Sequence, residues 1–145
     1  MATDRRAEVR WQGSLIDGSG TIVSTTTGAI GEQAVSWAAR STDETGGVTS
    51  PEELIAAAHA ACFAMALSNT LAKEDHAPEE LHTSATVTFQ AGEGITHIAL
   101  TVEGRVPGIT DAAFEQAAQT AKENCPVSKA LAAVPEITLE ARLAA

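Results

Sequence analysis

An α+β fold is predicted from three features of the sequence. Alternating β-prone segments occupy both ends of the chain, one strongly capped apolar helix separates them, and two further helical segments precede a last strand. The predicted order is βββ-α-ββ-α-α-β, within a single domain spanning residues 1–145 and without repeats, linkers or low-complexity segments.

The segment EVRWQGSLIDGSGTIVST reads as a hairpin, because two β-prone runs flank the turn-forming DGSG. A third strand is expected in EQAVSWAAR, where Val35, Trp37 and Ala39 alternate with Ala34, Ser36, Ala38 and Arg40. Arg40 would then end that strand, ahead of the polar loop STDETGGV. The helix that follows carries the strongest start signal in the chain. Ser50 is placed as N-cap, Pro51 as the first helical residue, and Glu53 completes a capping box. Glu53 thereby has a structural role that Glu52 lacks, apart from a weak favourable interaction with the helix dipole. Two strands, LHTSATVTFQ and ITHIALTVEGRV, follow around an AGEG turn. Thr110 caps a helix that stops near Asn124, Pro126 opens a short helix over VSKALAAV, and EITLEARLA closes the chain as a strand.

Composition narrows the function classes. A hydrophobic fraction of 44% and a charged fraction of 19% describe a globular chain, and 145 residues suffice for a core. The net charge of -10, with Arg and Lys scattered, offers no basic stripe for nucleic acid. The N-terminal MATDRRAEVRW lacks the apolar stretch of a secretory signal, so a cytoplasmic location is expected. The run from Leu54 to Leu67 contains His59 and is shorter than the roughly 20 residues of a spanning helix; a buried core helix rather than a membrane segment is expected. Neither Cys-x-x-Cys nor paired histidines at ligand spacing occurs, which argues against zinc and against a general thiol–disulfide reductant. A reducing compartment leaves two cysteines, Cys62 and Cys125, either inert or redox-active.

The helix around Cys62 is apolar almost all round and needs cover on more than one side. A sheet can cover one side. The face with Ala56, Ala57, Ala60, Ala61 and Ala64 would admit a second helix closely, which predicts a homodimer with these helices at its centre. His59, one turn before Cys62, is expected as a packed interface histidine.

An unassisted thiol among alanines is unreactive, since burial raises a pKa that is already about 8.5. Keeping it ionised near neutrality needs about 2.7 kcal/mol of preference for the anion. One guanidinium about 4 Å away, at an effective dielectric of about 20, supplies about 4 kcal/mol. Arg40 is the best-placed arginine, and Glu52 is available to orient it. Glu52 lies about 15 Å along the helix from Cys62, so the two cannot meet within one helix. Antiparallel pairing of two copies would bring the Glu52 end of one to Cys62 of the other. Cys125, between Asn124 and Pro126, is expected at a helix start where thiolate is favoured, at an accessible and mobile junction.

These residues carry a resemblance. SPEELIAAAHAACFAMALS and ENCPVSKAL, preceded by WQG, closely resemble the OsmC/Ohr family of osmotically inducible proteins and organic hydroperoxide reductases, over essentially the whole chain. AHAACF looks like the OsmC branch, since the Ohr block tends to read GYSACF. The resemblance implies antiparallel strands packed around central helices in an intertwined homodimer with thiol-dependent peroxidase activity and no metal or other cofactor. It implies that Cys62 is peroxidatic, that Cys125 resolves it through a Cys62–Cys125 disulfide, and that Glu52 and Arg40 are the catalytic acid and arginine. Arg10 stands in reserve, because the Ohr-branch arginine comes earlier in the chain. Organic hydroperoxides are the implied substrates, and a dithiol, such as a dihydrolipoyl group on a partner protein, the implied reductant. The rival expectation is a non-catalytic dimer of the same fold that holds an apolar small molecule.

Overall fold

The N-terminal alternation forms a hairpin in which β1 (Ala7–Gln12) runs antiparallel to β2 (Ser19–Thr25). β3 (Gln33–Val35) adds to β2, giving a three-stranded sheet in the order β1-β2-β3. The third strand is therefore much shorter than expected. Residues Trp37–Ser41 form a short helix, α1, instead. Ser36 is its N-cap, with its hydroxyl accepting from the Ala39 amide at 3.1 Å, and Thr42 closes it through its amide and hydroxyl on the Ala38 carbonyl. The alanines favour helix over strand once a capping serine precedes them. Arg40 thus sits in the last turn of a helix rather than at a strand end.

The structure, a computed structural model, describes residues 1–145 and divides them into two compact units, Met1–Pro51 and Glu52–Ala145. The second unit is built on α2 (Pro51–Lys73), which starts at the predicted proline. β4 (Glu80–Gln90) and β5 (Gly94–Arg105) form the predicted antiparallel pair. Thr110 caps α3 (Asp111–Asn124), its hydroxyl accepting from the Ala113 amide at 3.2 Å. α4 (Pro126–Ala130) opens at the expected proline but ends before Leu131, short of its expected length. β6 (Glu136–Leu143) completes a sheet in the order β4-β5-β6. β6 lies parallel to β5, a departure from the expected antiparallel strands. A parallel neighbour requires a crossover, and α3 with α4 provides it.

The core of this unit is a single cluster. One stripe of α2, Phe63, Leu67 and Leu71, is fully buried with Ile98, Leu100 and Val102 of β5 and Phe114, Ala117 and Ala121 of α3. The opposite stripe of α2 is not covered: Ala57, Ala58 and Ala61 are exposed, and Met65 is 72% exposed. α2 as a whole is 23 residues long with a mean hydropathy of 1.5 over its most apolar window, so length and composition alone would let it cross a membrane. Only 22% of that window is buried within the chain.

Gly104 marks the tightest approach in the core. A Cβ there would lie 2.6 Å from Cζ of the buried Phe114 ring. Gly104→Ala should therefore destabilise the protein by about 1–3 kcal/mol, the usual cost of overpacking. Pairing it with Phe114→Leu should recover part of that loss, as read from denaturant unfolding of both single variants and the double. Additive losses would mean that the two sites do not touch.

A candidate active site built on two thiols

The side chains of Cys62 and Cys125, 63 positions apart in the chain, meet at an Sγ–Sγ distance of 3.1 Å. Cys62 sits mid-way along α2, beside but not within its buried stripe, and is half-buried. Cys125 occupies the joint between α3 and α4 and is fully buried. This reverses the expected exposure of the pair, in which Cys62 was the enclosed thiol and Cys125 the accessible one. The joint is also tied on both sides rather than loose. The Cys125 amide donates to the Ala121 carbonyl at 2.8 Å, ending α3, while its own carbonyl accepts from the Lys129 amide at 3.0 Å, opening α4. Pro126 makes this economical, since the first helical residue needs no amide donor.

The surroundings treat the two sulfurs differently. Burial pushes the Cys62 thiol above its ordinary pKa, and the adjacent Cys125 adds to the rise; the Val127 amide opposes it weakly. Burial acts on Cys125 in the same direction, but there it is outweighed. The Ser128 amide, the Cys62 side chain, the Ser128 hydroxyl and the Val127 amide together hold Cys125 below the ordinary thiol value. No capping hydrogen bond of regular geometry closes on the sulfur. The donors of the first turn of α4 nonetheless favour its anion.

Ser128 was not singled out by sequence reasoning, although its position was legible. It is the third residue after Cys125, where the amide of a helix's first turn faces back towards the capping side chain. Ser128 is buried, and its hydroxyl lies 2.7 Å from Nε2 of His59. His59 is fully buried in the single chain. Burial lowers its pKa and keeps the ring neutral. Its Nδ1 is buried without a hydrogen-bond partner.

Of the other expected residues, Glu52 is buried in the first turn of α2, whereas the adjacent Glu53 is exposed. A buried carboxylate needs a cation or donors to offset its lost hydration. Arg40 belongs to the first unit, where it is half-buried, while Arg10 on β1 is exposed. Beside Cys62 runs an open groove of about 710 Å³, lined by Met65, Ala66, Asn69 and Thr70 of α2 and reaching Thr120 and Pro126. Cys62 is itself one of the lining residues, as are the charged Lys73 and Glu74. Nowhere do three His, Cys, Asp or Glu side chains converge as metal ligands would.

Comparison with known proteins gives one answer at every level. The sequence model of the family described as OsmC-like protein matches residues 44–140. Peroxiredoxin OsmC of Escherichia coli is 43% identical over 146 residues, covering 99% of this chain and 99% of the relative. The OsmC-like protein from Mycoplasma pneumoniae superposes with a TM-score of 0.69 at 16% identity, covering 99% of this chain and all of that one. An organic hydroperoxide resistance protein, OhrB of Bacillus subtilis, gives 0.61 at 22% identity, covering 96% and 98%. The chain belongs to the OsmC family.

Proposed function

We propose that this protein is a thiol-dependent peroxidase that reduces organic hydroperoxides, with Cys62 as the attacking thiol and Cys125 as the resolving one. The observation that carries this reading is the 3.1 Å approach of two free sulfurs from distant parts of the chain. An inert core cysteine needs no second thiol. The 43% identity to a relative named Peroxiredoxin OsmC supports the same activity. The half-exposed Cys62 opens on the groove and meets the substrate, whereas Cys125 is enclosed behind it.

The cycle follows. Cys62 thiolate attacks the terminal oxygen of the hydroperoxide, the O–O bond breaks, and the alkoxide leaves as alcohol after taking a proton. Cys62 becomes a sulfenic acid. Cys125 attacks its sulfur, the hydroxyl leaves as water, and a disulfide forms. A dithiol of the reducing cytosol, such as a dihydrolipoyl group, then restores both thiols. An organic hydroperoxide suits the groove better than hydrogen peroxide does, because Met65 and Ala66 offer its tail apolar surface.

We assign the cation that this cycle needs at Cys62 to an arginine outside the thiol unit. Arg105 and Arg142, the two arginines of that unit, engage Glu80 and Glu103 on the sheet. Arg40, half-buried, fits the role better than the exposed Arg10, and the buried Glu52 would orient its guanidinium. The uncovered stripe of α2 is where a second copy packs, making a homodimer. Antiparallel packing of the two helices brings the Glu52 end of one protomer to Cys62 of its partner.

Four outcomes test these assignments. Adding one equivalent of cumene hydroperoxide to the reduced protein should remove two hydrogens by intact mass and yield a Cys62–Cys125 peptide in a non-reducing digest; unchanged thiols would leave only the ligand-binding reading. Cys62→Ser should abolish turnover, while Cys125→Ser should accumulate sulfenic or over-oxidised Cys62. In a Cys125→Ser background, alkylation of Cys62 should be nearly independent of pH between 7 and 8 (about these values) with Arg40 present. With Arg40→Ala the sulfur is left with burial alone, which raises its pKa, so the alkylation rate should climb about tenfold per pH unit until the thiol ionises. Ala61→Glu should convert a dimer to monomers in light scattering, and a dimer that persists would place the interface elsewhere.

A further inference from the structure

We propose that His59 and Ser128 form a buried positioning pair that aims the Ser128 hydroxyl at Cys125 and so sets the rate of disulfide closure. The inference rests on the peroxidase reading and concerns its second step only. Its geometry lies wholly within one unit. His59 Nε2 and Ser128 Oγ are 2.7 Å apart, both side chains are buried, and Ser128 shares a helical turn with Cys125.

The environment of the imidazole selects its tautomer. A proton on Nδ1 would be a buried donor with no acceptor, whereas a proton on Nε2 has the Ser128 oxygen in front of it. With Nε2–H donating, the Ser128 oxygen is occupied as an acceptor, and its own proton is left to turn towards the Cys125 sulfur at the start of the same helix, whose anion it would stabilise. The result is a one-way chain of donors: imidazole to hydroxyl to sulfur. Burial of His59 supports this arrangement, since a neutral ring carries only one N–H and does not reverse the chain.

The chain acts when Cys62 has become a sulfenic acid. The Cys125 S–H bond breaks as its sulfur forms a bond to the Cys62 sulfur. The S–O bond of the sulfenic acid breaks, and the hydroxide leaves with the thiol proton as water. Cys62 ends reduced from sulfenic acid to disulfide level, Cys125 is oxidised to the same level, and no further reactant enters. Negative charge appears on Cys125 as its proton leaves and is consumed as the S–S bond forms; in the proposed chain the hydroxyl held by His59 stabilises that charge while it lasts. The first step, attack of Cys62 on the hydroperoxide, consumes charge on the other sulfur and should not be slowed by loss of the pair.

Single-turnover kinetics with cumene hydroperoxide separate the two steps, one read as peroxide loss and the other as Cys62–Cys125 disulfide in acid-quenched samples, with dimedone trapping of sulfenic Cys62. Ser128→Ala should slow disulfide closure about tenfold, the loss expected from one hydrogen bond to a charged sulfur. Trapped sulfenic acid should rise while peroxide loss is not slowed. His59→Leu should do the same, His59→Gln should restore most of the rate by supplying an N–H near the position of Nε2, and the Ser128→Ala/His59→Leu double variant should be no slower than the worse single. In a Cys62→Ser background, Ser128→Ala should also raise the pKa of Cys125 as read from its thiolate ultraviolet absorbance. Unaltered closure in folded Ser128→Ala, or equal slowing of both steps, overturns the inference. Should His59→Leu fail to fold, Ser128→Ala decides alone. Failure of the wild type to form any disulfide would instead overturn the peroxidase reading.

Discussion

Two sulfurs within 3.1 Å of each other cannot both be ionised cheaply, and this single constraint organises the thiol unit. Each charge lies in the field of the other, so the pair behaves as one acid that gives up its first proton readily and its second reluctantly. The amides at the start of α4 and the Ser128 hydroxyl incline the shared charge towards Cys125, while burial and the neighbouring Cys125 hold the proton on Cys62. A peroxidase built on this pair has to reverse that inclination before each turnover. The proposed arginine is the means, and this explains why the attacking thiol would need a cation from outside the unit that positions it. Once Cys62 is spent as sulfenic acid, the same inclination favours the next step, because the surviving charge belongs on Cys125.

α2 makes the pair possible by carrying two incompatible surfaces. Its inner stripe, Phe63, Leu67 and Leu71, fixes the helix against β5 and α3, and that packing decides where Cys62 points. A helix with a polar outer face would have satisfied the same core. The outer stripe is instead alanine and Met65, which costs hydration in an isolated chain and becomes favourable only under a cover. The apolar character of the segment therefore serves two ends in the proposed assembly: a close helix–helix seam, and apolar groove surface beside the sulfur.

What could be read from the sequence was what local chemistry decides. The start of α2 at Pro51, the Thr110 cap and the proline start of α4 depend on neighbouring residues, and they appear where expected. The difference between Glu52 and Glu53 was legible too, since only one of two adjacent acids can serve a capping box; the burial of Glu52 alone agrees with it. EQAVSWAAR misled because its alternation fits a short strand, while a serine followed by tryptophan and alanines also starts a helix, and the cap won. The parallel placement of β6 and the enclosure of Cys125 were not legible. Each depends on which surfaces meet after α3 has crossed the sheet, and nothing within a few residues of either encodes that meeting. The His59–Ser128 contact joins residues 69 positions apart and was hidden for the same reason.

The reversed exposure of the two thiols bears directly on how such a cycle avoids self-destruction. A sulfenic acid that waits for a distant or mobile partner is open to a second hydroperoxide and to oxidation beyond rescue by a thiol. Here the second sulfur is already in contact, and its backbone is fixed from both sides by α3 and α4. Disulfide bonding needs the sulfurs at about 2.05 Å, so closure from 3.1 Å requires side-chain adjustment rather than movement of a helix. Cys125 is also fully buried whereas Cys62 is not, so in the proposed cycle the hydroperoxide meets Cys62 first. An accessible resolving thiol on a loose joint would have neither property. In the proposed cycle the order of events is therefore set by access at the first step and by proximity at the second, with α2 supplying both.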